Sequence, residues 1–116
     1  MSMTEHNFTR GQCPDQLRLD TAGGNTAVQI NIPSYARRVT IISESGNGCR
    51  VALCAADSGT NIHSDFLKVK AYGSAEYEWH DGIKVANSIG AIYVANKNSD
   101  DASAKKFTVV IEGAER

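Results

Sequence analysis

Apolar residues in this chain recur at every second position, and no window of ten or more residues carries a convincing 3.6-residue period. Leu17 and Leu19 alternate with polar neighbours over Gln16–Asp20, and Val28, Ile30 and Ile32 do so over Ala27–Ile32. The pattern repeats with Val39 and Ile41 in Arg38–Ser43, Val51 and Leu53 in Arg50–Ala55, and Leu67 and Val69 in Phe66–Lys70. Tyr77 and Trp79 share one face of Glu76–His80, opposite Glu76, Glu78 and His80. Phe107, Val109 and Ile111 share one face of Phe107–Glu112. Alternation of this kind is what a half-buried strand requires. Ala91–Ala95 is apolar on both faces and reads as a central strand, and Ile83–Val85 reads as a short ninth strand. Ser34–Arg38, after Pro33, offers one helical turn at most.

Glycine and asparagine punctuate these runs. Gly23-Gly24-Asn25, Gly46-Asn47-Gly48, Ser58-Gly59, Gly73-Ser74, Asp81-Gly82 and Gly90 all fall between them, supplying the positive φ that tight turns need. Asp81-Gly82 is the best two-residue hairpin signal. Eight or nine short strands without helices must bury their apolar faces against one another, as a sandwich or a closed barrel. Intervals such as Ala55 to Phe66 are too long for plain hairpins. The expectation is therefore an all-β, antiparallel sandwich of jelly-roll or Greek-key type. Residues 15–116 form the domain. Residues 1–14 lack alternation and read as an extended N-terminal arm, ordered only where it docks. The polar stretch Asn96–Lys106 reads as a long loop, mobile or used for contact.

Composition bounds the function. At 116 residues one domain is expected, burying roughly two-thirds of the surface its unfolded chain exposes. Twelve basic and thirteen acidic residues give a net charge of −1 with no segregated block. Phosphate backbones are neutralised by a basic face, so nucleic acid is not an expected partner. Residues 1–12 are polar, without the apolar segment of a secretory signal, and no run approaches a membrane span. Synthesis in the cytoplasm is the expectation, with no membrane partner. On that basis the sequon Asn7-Phe8-Thr9 is a chance match. Cys49 and Cys54 lie five residues apart on one expected strand, which separates them by roughly 16 Å, beyond disulfide reach. With Cys13, three free thiols are expected.

The chemistry-bearing residues do not converge in sequence. His63 with Asp65, and His80 with Asp81, offer two pairs of metal ligands, but zinc takes three or four at recognisable spacings. Asn98, Ser99, Asp100 and Asp101, or Asp57 with Asn61, offer calcium its oxygens without an Asp-x-Asp-x-Asp-Gly pattern. Cys49 or Cys54 with His63 or His80 lacks the signature of an activated nucleophile. Glu76 and Glu78 sit about 7 Å apart on one strand face, which reads as a solvated edge rather than a glycosidase pair. Tyr72, Tyr77 and Trp79 suggest a stacking platform for sugars, although Tyr77 and Trp79 lie on an apolar face. No catalytic, metal or cofactor residue is assigned, and no enzyme is expected.

Four stretches carry a family resemblance: Arg50-Val51-Ala52-Leu53, Glu76-Tyr77-Glu78-Trp79, Ala91-Ile92-Tyr93-Val94-Ala95 and Phe107-Thr108-Val109-Val110-Ile111-Glu112-Gly113. In this order, with a polar loop before the last, the layout over residues 38–113 resembles small β-sandwich virion accessory proteins of tailed bacteriophages, of the capsid decoration or cement type. The resemblance implies a structural role on the virion surface. The partners implied are further copies of the chain, as a homo-oligomer with a trimer favoured, and the major capsid protein. It points to the arm and to the loops Ser43–Gly48 and Asn96–Lys106 for contact, with Phe8, Arg10, Asn47, Asn98, Asp100 and Asp101 as candidate contact residues. The alternative function is a carbohydrate-binding β-sandwich module built on Tyr72, Tyr77 and Trp79. A third reading, a metal-assisted hydrolase on a cupin-like barrel, rests on His63, Asp65 and His80.

Overall fold

The chain is rolled up as one long antiparallel hairpin folded over on itself. The computed structural model describes residues 4–11, 14–33, 35–44, 46, 48–54, 59–78 and 90–113. Across these the strands are β1 (Glu5–Asn7), β2 (Asp15–Asp20), β3 (Val28–Asn31), β4 (Ala36–Ser43), β5 (Cys49–Ala52), β6 (Leu67–Val69), β7 (Ser74–Glu78), β8 (Ala91–Asn96) and β9 (Lys106–Gly113). β2 pairs with β9, β3 with β8, β4 with β7 and β5 with β6, each antiparallel. Pairing of β4 with β9 and of β5 with β8 completes two sheets, ordered β1-β3-β8-β5-β6 and β2-β9-β4-β7. This nesting is the jelly-roll form of the two-sheet sandwich. Among the described residues no helix is long and apolar enough to cross a membrane.

Alternation decides what the sandwich buries. Val28, Ile30, Val39, Ile41, Val51, Val94, Phe107, Val109 and Ile111 all point between the sheets, each at most 2% exposed. Burial of such a side chain is worth about 1.5–3 kcal/mol, and their β-branched majority suits the pleated backbone. β8 holds the centre of its sheet, between β3 and β5. Ile92 and Val94 face the core, while Ala95 on the other face is buried as well. Residues 60–62 run back beside the turn before β3. There the Ala27 amide donates to the Thr60 carbonyl and the Ile62 amide to the Asn25 carbonyl, at 2.9 and 2.8 Å.

Three expectations are corrected. Leu67 is 52% exposed rather than inward, because β6 is a three-residue edge strand paired only with β5. The described residues of 34–38, which are 35–38, hold no helical turn: the Ala36 amide closes a turn on the Pro33 carbonyl, and β4 starts at Ala36. The arm, expected to be ordered only where it docks, docks on its own sandwich, where Glu5–Asn7 pairs in parallel with Gln29–Asn31. The strand expected over 50–55 ends at Ala52. Cys49 is buried, Cys54 is exposed, and neither is bridged. Cys13, the hairpin at Asp81-Gly82 and the strand Ile83–Val85 lie outside the described residues.

The loop from 97 to 105 is tied to the sandwich from within. Asn96, 1% exposed, donates its amide hydrogens to the carbonyls of Asp101 and Ser103 at 2.7 and 2.8 Å. Its side-chain oxygen accepts from the Thr21 hydroxyl. Thr21 in turn exchanges bonds with Lys105: its amide donates to the Lys105 carbonyl, and its hydroxyl accepts the Lys105 amide, both at 2.9 Å. Gly24 completes the staple by donating to the Asp101 carbonyl at 2.7 Å.

Two predictions follow from this packing. Asn96→Ala strands two loop carbonyls and removes the Thr21 acceptor, so urea unfolding should show a loss of about 2–4 kcal/mol. A loss under about 1 kcal/mol would mean that water replaces the staple. Burial pushes the Cys49 thiol up to about 11, from an ordinary 9.0. The folded state thus favours the neutral thiol. That stabilisation is complete below pH 9.0 and is lost as pH rises through about 11. The urea midpoint should fall across this window, and fall less steeply in Cys49→Ala.

Candidate functional site

A polar hollow forms where the turn before β3 meets residues 60–66. The turn before β3 is set by Gly23 and Gly24, at φ of +96° and +57°. A Cβ on Gly23 would stand 2.6 Å from the Ala102 carbonyl oxygen, so only glycine allows this turn to lie against the 97–105 loop. Opposite the turn, residues 60–62 run back beside 25–27, joined by a bridge between Thr26 and Asn61. Between the two lies an open pocket of about 290 Å³, lined by Asn25, Arg50, Asn61, Ile62, His63, Ser64 and Phe66.

Arg50 comes from β5. Its neighbours in the strand, Cys49 and Val51, belong to the core between the sheets, so alternation turns Arg50 to the opposite face, level with Ala95. There it is only 7% exposed. Its Nε donates to the Asn96 carbonyl at 2.5 Å and one terminal nitrogen donates to the Gly24 carbonyl at 3.2 Å. The guanidinium carbon sits 5.3 Å from the centre of the Phe66 ring, within the range of a cation–π contact. Burial lowers the Arg50 pKa from its ordinary value. The His63 ring is fixed from one side, as Nδ1 accepts the Asp65 amide at 2.9 Å. That bond puts the proton of a neutral imidazole on Nε2.

Three cations on the other sheet are treated differently. Arg18 meets Glu44 at 3.0 Å, Lys106 meets Asp20 at 3.1 Å, and Arg38 lies between Glu78 and Glu112 at 2.5 and 3.6 Å. The hydrogen bonds that Arg38 donates to Glu78, with the charge of that carboxylate, raise the Arg38 pKa, and the bond donated by the Thr108 hydroxyl leads in lowering that of Glu44. Arg50 has no carboxylate within ion-pair distance among the described residues.

The sequence-predicted residues are dispersed. Phe8 is half-buried and packs on the core of its own sandwich. Arg10 is exposed and donates to the Pro14 carbonyl at 3.2 Å. Asn98 and Asp100 are exposed on the 97–105 loop. Asp101 is turned into that loop: its carboxylate accepts the amide and hydroxyl of Ser103 at 3.1 and 2.7 Å and faces Lys105 at 3.5 Å. Those Ser103 bonds hold its pKa below the ordinary carboxylate value. Asn47, Asp57, Trp79, His80 and Asp81 lie outside the described residues. His63-Ser64-Asp65 is bent rather than extended, and no group of three metal-ligating side chains occurs among the described residues. Glu78 and Glu76 answer Arg38 and Thr40 on the neighbouring strand, at 3.1 and 3.4 Å. Tyr72 is 74% exposed, whereas Tyr77 packs against the core. Arg50 and Phe66 escaped the sequence reading, because an arginine alternating with core residues looks the same whether water or a loop covers it.

No protein-family model matches the chain, and no curated protein sequence matches it. Among solved structures it is similar to PliG of Aeromonas hydrophila, a periplasmic inhibitor of g-type lysozyme. That likeness has 13% identity and a TM-score of 0.54, over 95% of this chain and 96% of the other. It is also similar to a protein of the disulfide-linked pili of Bacillus endospore appendages (11% identity, TM-score 0.44, 93% and 96% covered). A third likeness is to the coat protein of tobacco streak virus (13% identity, TM-score 0.39, 93% and 94% covered). At 13% identity the likeness to the Aeromonas protein is one of fold, agreeing with the β-sandwich read from the strand pairing.

Proposed function

We propose that this chain is a non-enzymatic binding and assembly protein, a virion accessory component of a tailed bacteriophage that binds the major capsid lattice from the virion surface as a homo-oligomer. The observation that supports this reading is the seating of β1. It is the one parallel strand among the described pairs, and it meets β3 over three residues at the edge of its sheet. Polar side chains decorate the seam: Asn31 donates to Glu5 and Asn7 at 3.1 and 2.9 Å, and Gln29 donates to Glu5 at 3.5 Å. Phe8 supplies the apolar anchor. A short strand held this way forms the same bonds on a neighbouring copy, so exchange of arms between subunits costs little.

The other sheet edges discourage simple edge-to-edge pairing. β6 has three residues, β2 carries Asp15, Arg18 and Asp20, and β7 carries Glu76 and Glu78. Short and charged edges of this kind resist added strands. The edge of β3 under the arm is thus the natural place for a second chain, with a trimer the favoured assembly. Jelly rolls serve capsid and lectin domains alike, and the fold alone does not choose between them.

A second reading, a carbohydrate-binding module, is favoured by Tyr72. This exposed aromatic sits at φ +55°, the one non-glycine positive φ among the described residues. Holding a side chain there costs on the order of 1 kcal/mol, a cost a ligand-stacking residue would justify.

Light scattering behind a sizing column tests the first reading. The full chain should run as a discrete oligomer, a trimer above all, and a variant lacking residues 1–9 should run as a folded monomer. Phe8→Ser, which unseats the arm without shortening the chain, should shift the same equilibrium. A full-length monomer that does not co-sediment with phage heads would overturn it. The second reading expects Tyr72→Gly to gain about 1 kcal/mol of stability by relieving the backbone and to lose binding on a glycan array. If no glycan binds the unmodified chain, that reading is gone.

A further inference from the structure

We infer that the pocket at Arg50 binds the carboxylate group of a small molecule. This site is separate from the arm and does not depend on the assembly reading. Arg50 is 93% buried by complement of its 7% exposure, yet it has only two main-chain carbonyls as partners and no carboxylate among the described residues. These bonds occupy Nε and one terminal nitrogen. The guanidinium carries five N–H donors in a fixed fork, so its other terminal nitrogen keeps donors for a ligand in the pocket that Arg50 lines.

The lining selects the class of ligand. Among the described residues Arg50 is the one fixed positive charge on the pocket wall, which matches a single carboxylate group rather than the doubled charge on one centre of a phosphate ester. A planar guanidinium pairs with a planar carboxylate through parallel hydrogen bonds. Phe66, 5.3 Å away, supports one face of the cation and keeps water from it. Asn25, Asn61 and Ser64 add amide and hydroxyl groups around the rim, suited to a ligand that carries hydroxyls or a second polar group. Sugar acids and free organic acids share this chemistry.

Amide NMR of the intact chain, titrated with glucuronate, succinate, glucose and inorganic phosphate, tests the inference. One or both carboxylates should give saturable shifts at Asn25, Asn61–Phe66 and the Arg50 Nε–H, and added salt should weaken them. Response to glucuronate alone identifies a sugar acid, to succinate alone a free organic acid, and to both a site reading the carboxylate itself. Arg50→Lys should weaken binding by about tenfold or more, the range expected for a lost charge-assisted bond. Phe66→Leu leaves the Arg50 main-chain bonds in place and should weaken binding about three- to tenfold, which covers the case in which Arg50→Lys does not fold. Absence of saturable carboxylate shifts in the unmodified chain would overturn the proposal. So would phosphate or glucose binding as tightly as either carboxylate.

Discussion

Asn96 is where the two halves of the roll are locked together. It ends β8, and its side chain satisfies Thr21 and two carbonyls of the following loop. Its own carbonyl accepts Arg50 from β5. Thr21, Asn96 and Arg50 are buried, and in such surroundings a polar atom without a partner costs about 1–3 kcal/mol. The junction is therefore all or nothing: with every bond made it fixes the turn at Gly23-Gly24, the 97–105 loop and the Arg50 guanidinium together. Remove one partner and the remaining groups face the interior unsatisfied. The pocket inherits its rigidity from this arrangement, since its floor is Arg50 and one wall is the turn that Arg50 holds through Gly24.

The nested hairpin explains why such a lock is needed. β2 and β9, the outermost pair, join residues about 90 positions apart, as with Asp15 and Ile111. Contacts of that span are entropically expensive to close before the core rewards them. Only the β5–β6 tip is local, with Val51 opposite Leu67. The fold thus depends on side chains that commit distant strands to one register, and Thr21 with Lys105 and Asn96 does so at the end of the outermost pair. Gly48 serves the tip in the same way. Its φ of +76° places the missing Cβ 2.2 Å from the Val69 carbonyl oxygen, so only glycine lets β5 begin beside the end of β6.

Much of this was legible in the sequence, and the reason is period. Strands β2 to β9 were each signalled by alternation, and the central place of β8 by apolar residues on both faces of Ala91–Ala95. β1 was not, because Glu5-His6-Asn7 has no apolar residue and its pairing is made by backbone and polar side chains. Leu67 was read inward because alternation reports parity and not the distance to the sheet's rim. The site was least legible of all. Polar residues at Asn25, Asn61 and Ser64 look like ordinary turn residues, and their convergence depends on how the chain beyond β5 folds back. Asp101 misled in the opposite direction: a charged residue in a polar loop reads as displayed, while its neighbours Ser103 and Lys105 draw it inward.

The contrast among the arginines bears most directly on function. Arg18 and Arg38 lie on open sheet surface, beside glutamates that belong to the strand ladder or its end. Pairs of this kind on open surface add little to stability, and they keep the outer face solvated. Arg50 lies under a loop, where its desolvation is costly and its pKa is lowered accordingly. Two carbonyl acceptors offset part of the penalty and aim the fork, but they do not neutralise it. An anion would. The pocket beside Arg50, rimmed with amides and open to solvent, brings a missing counter-charge and room for it together.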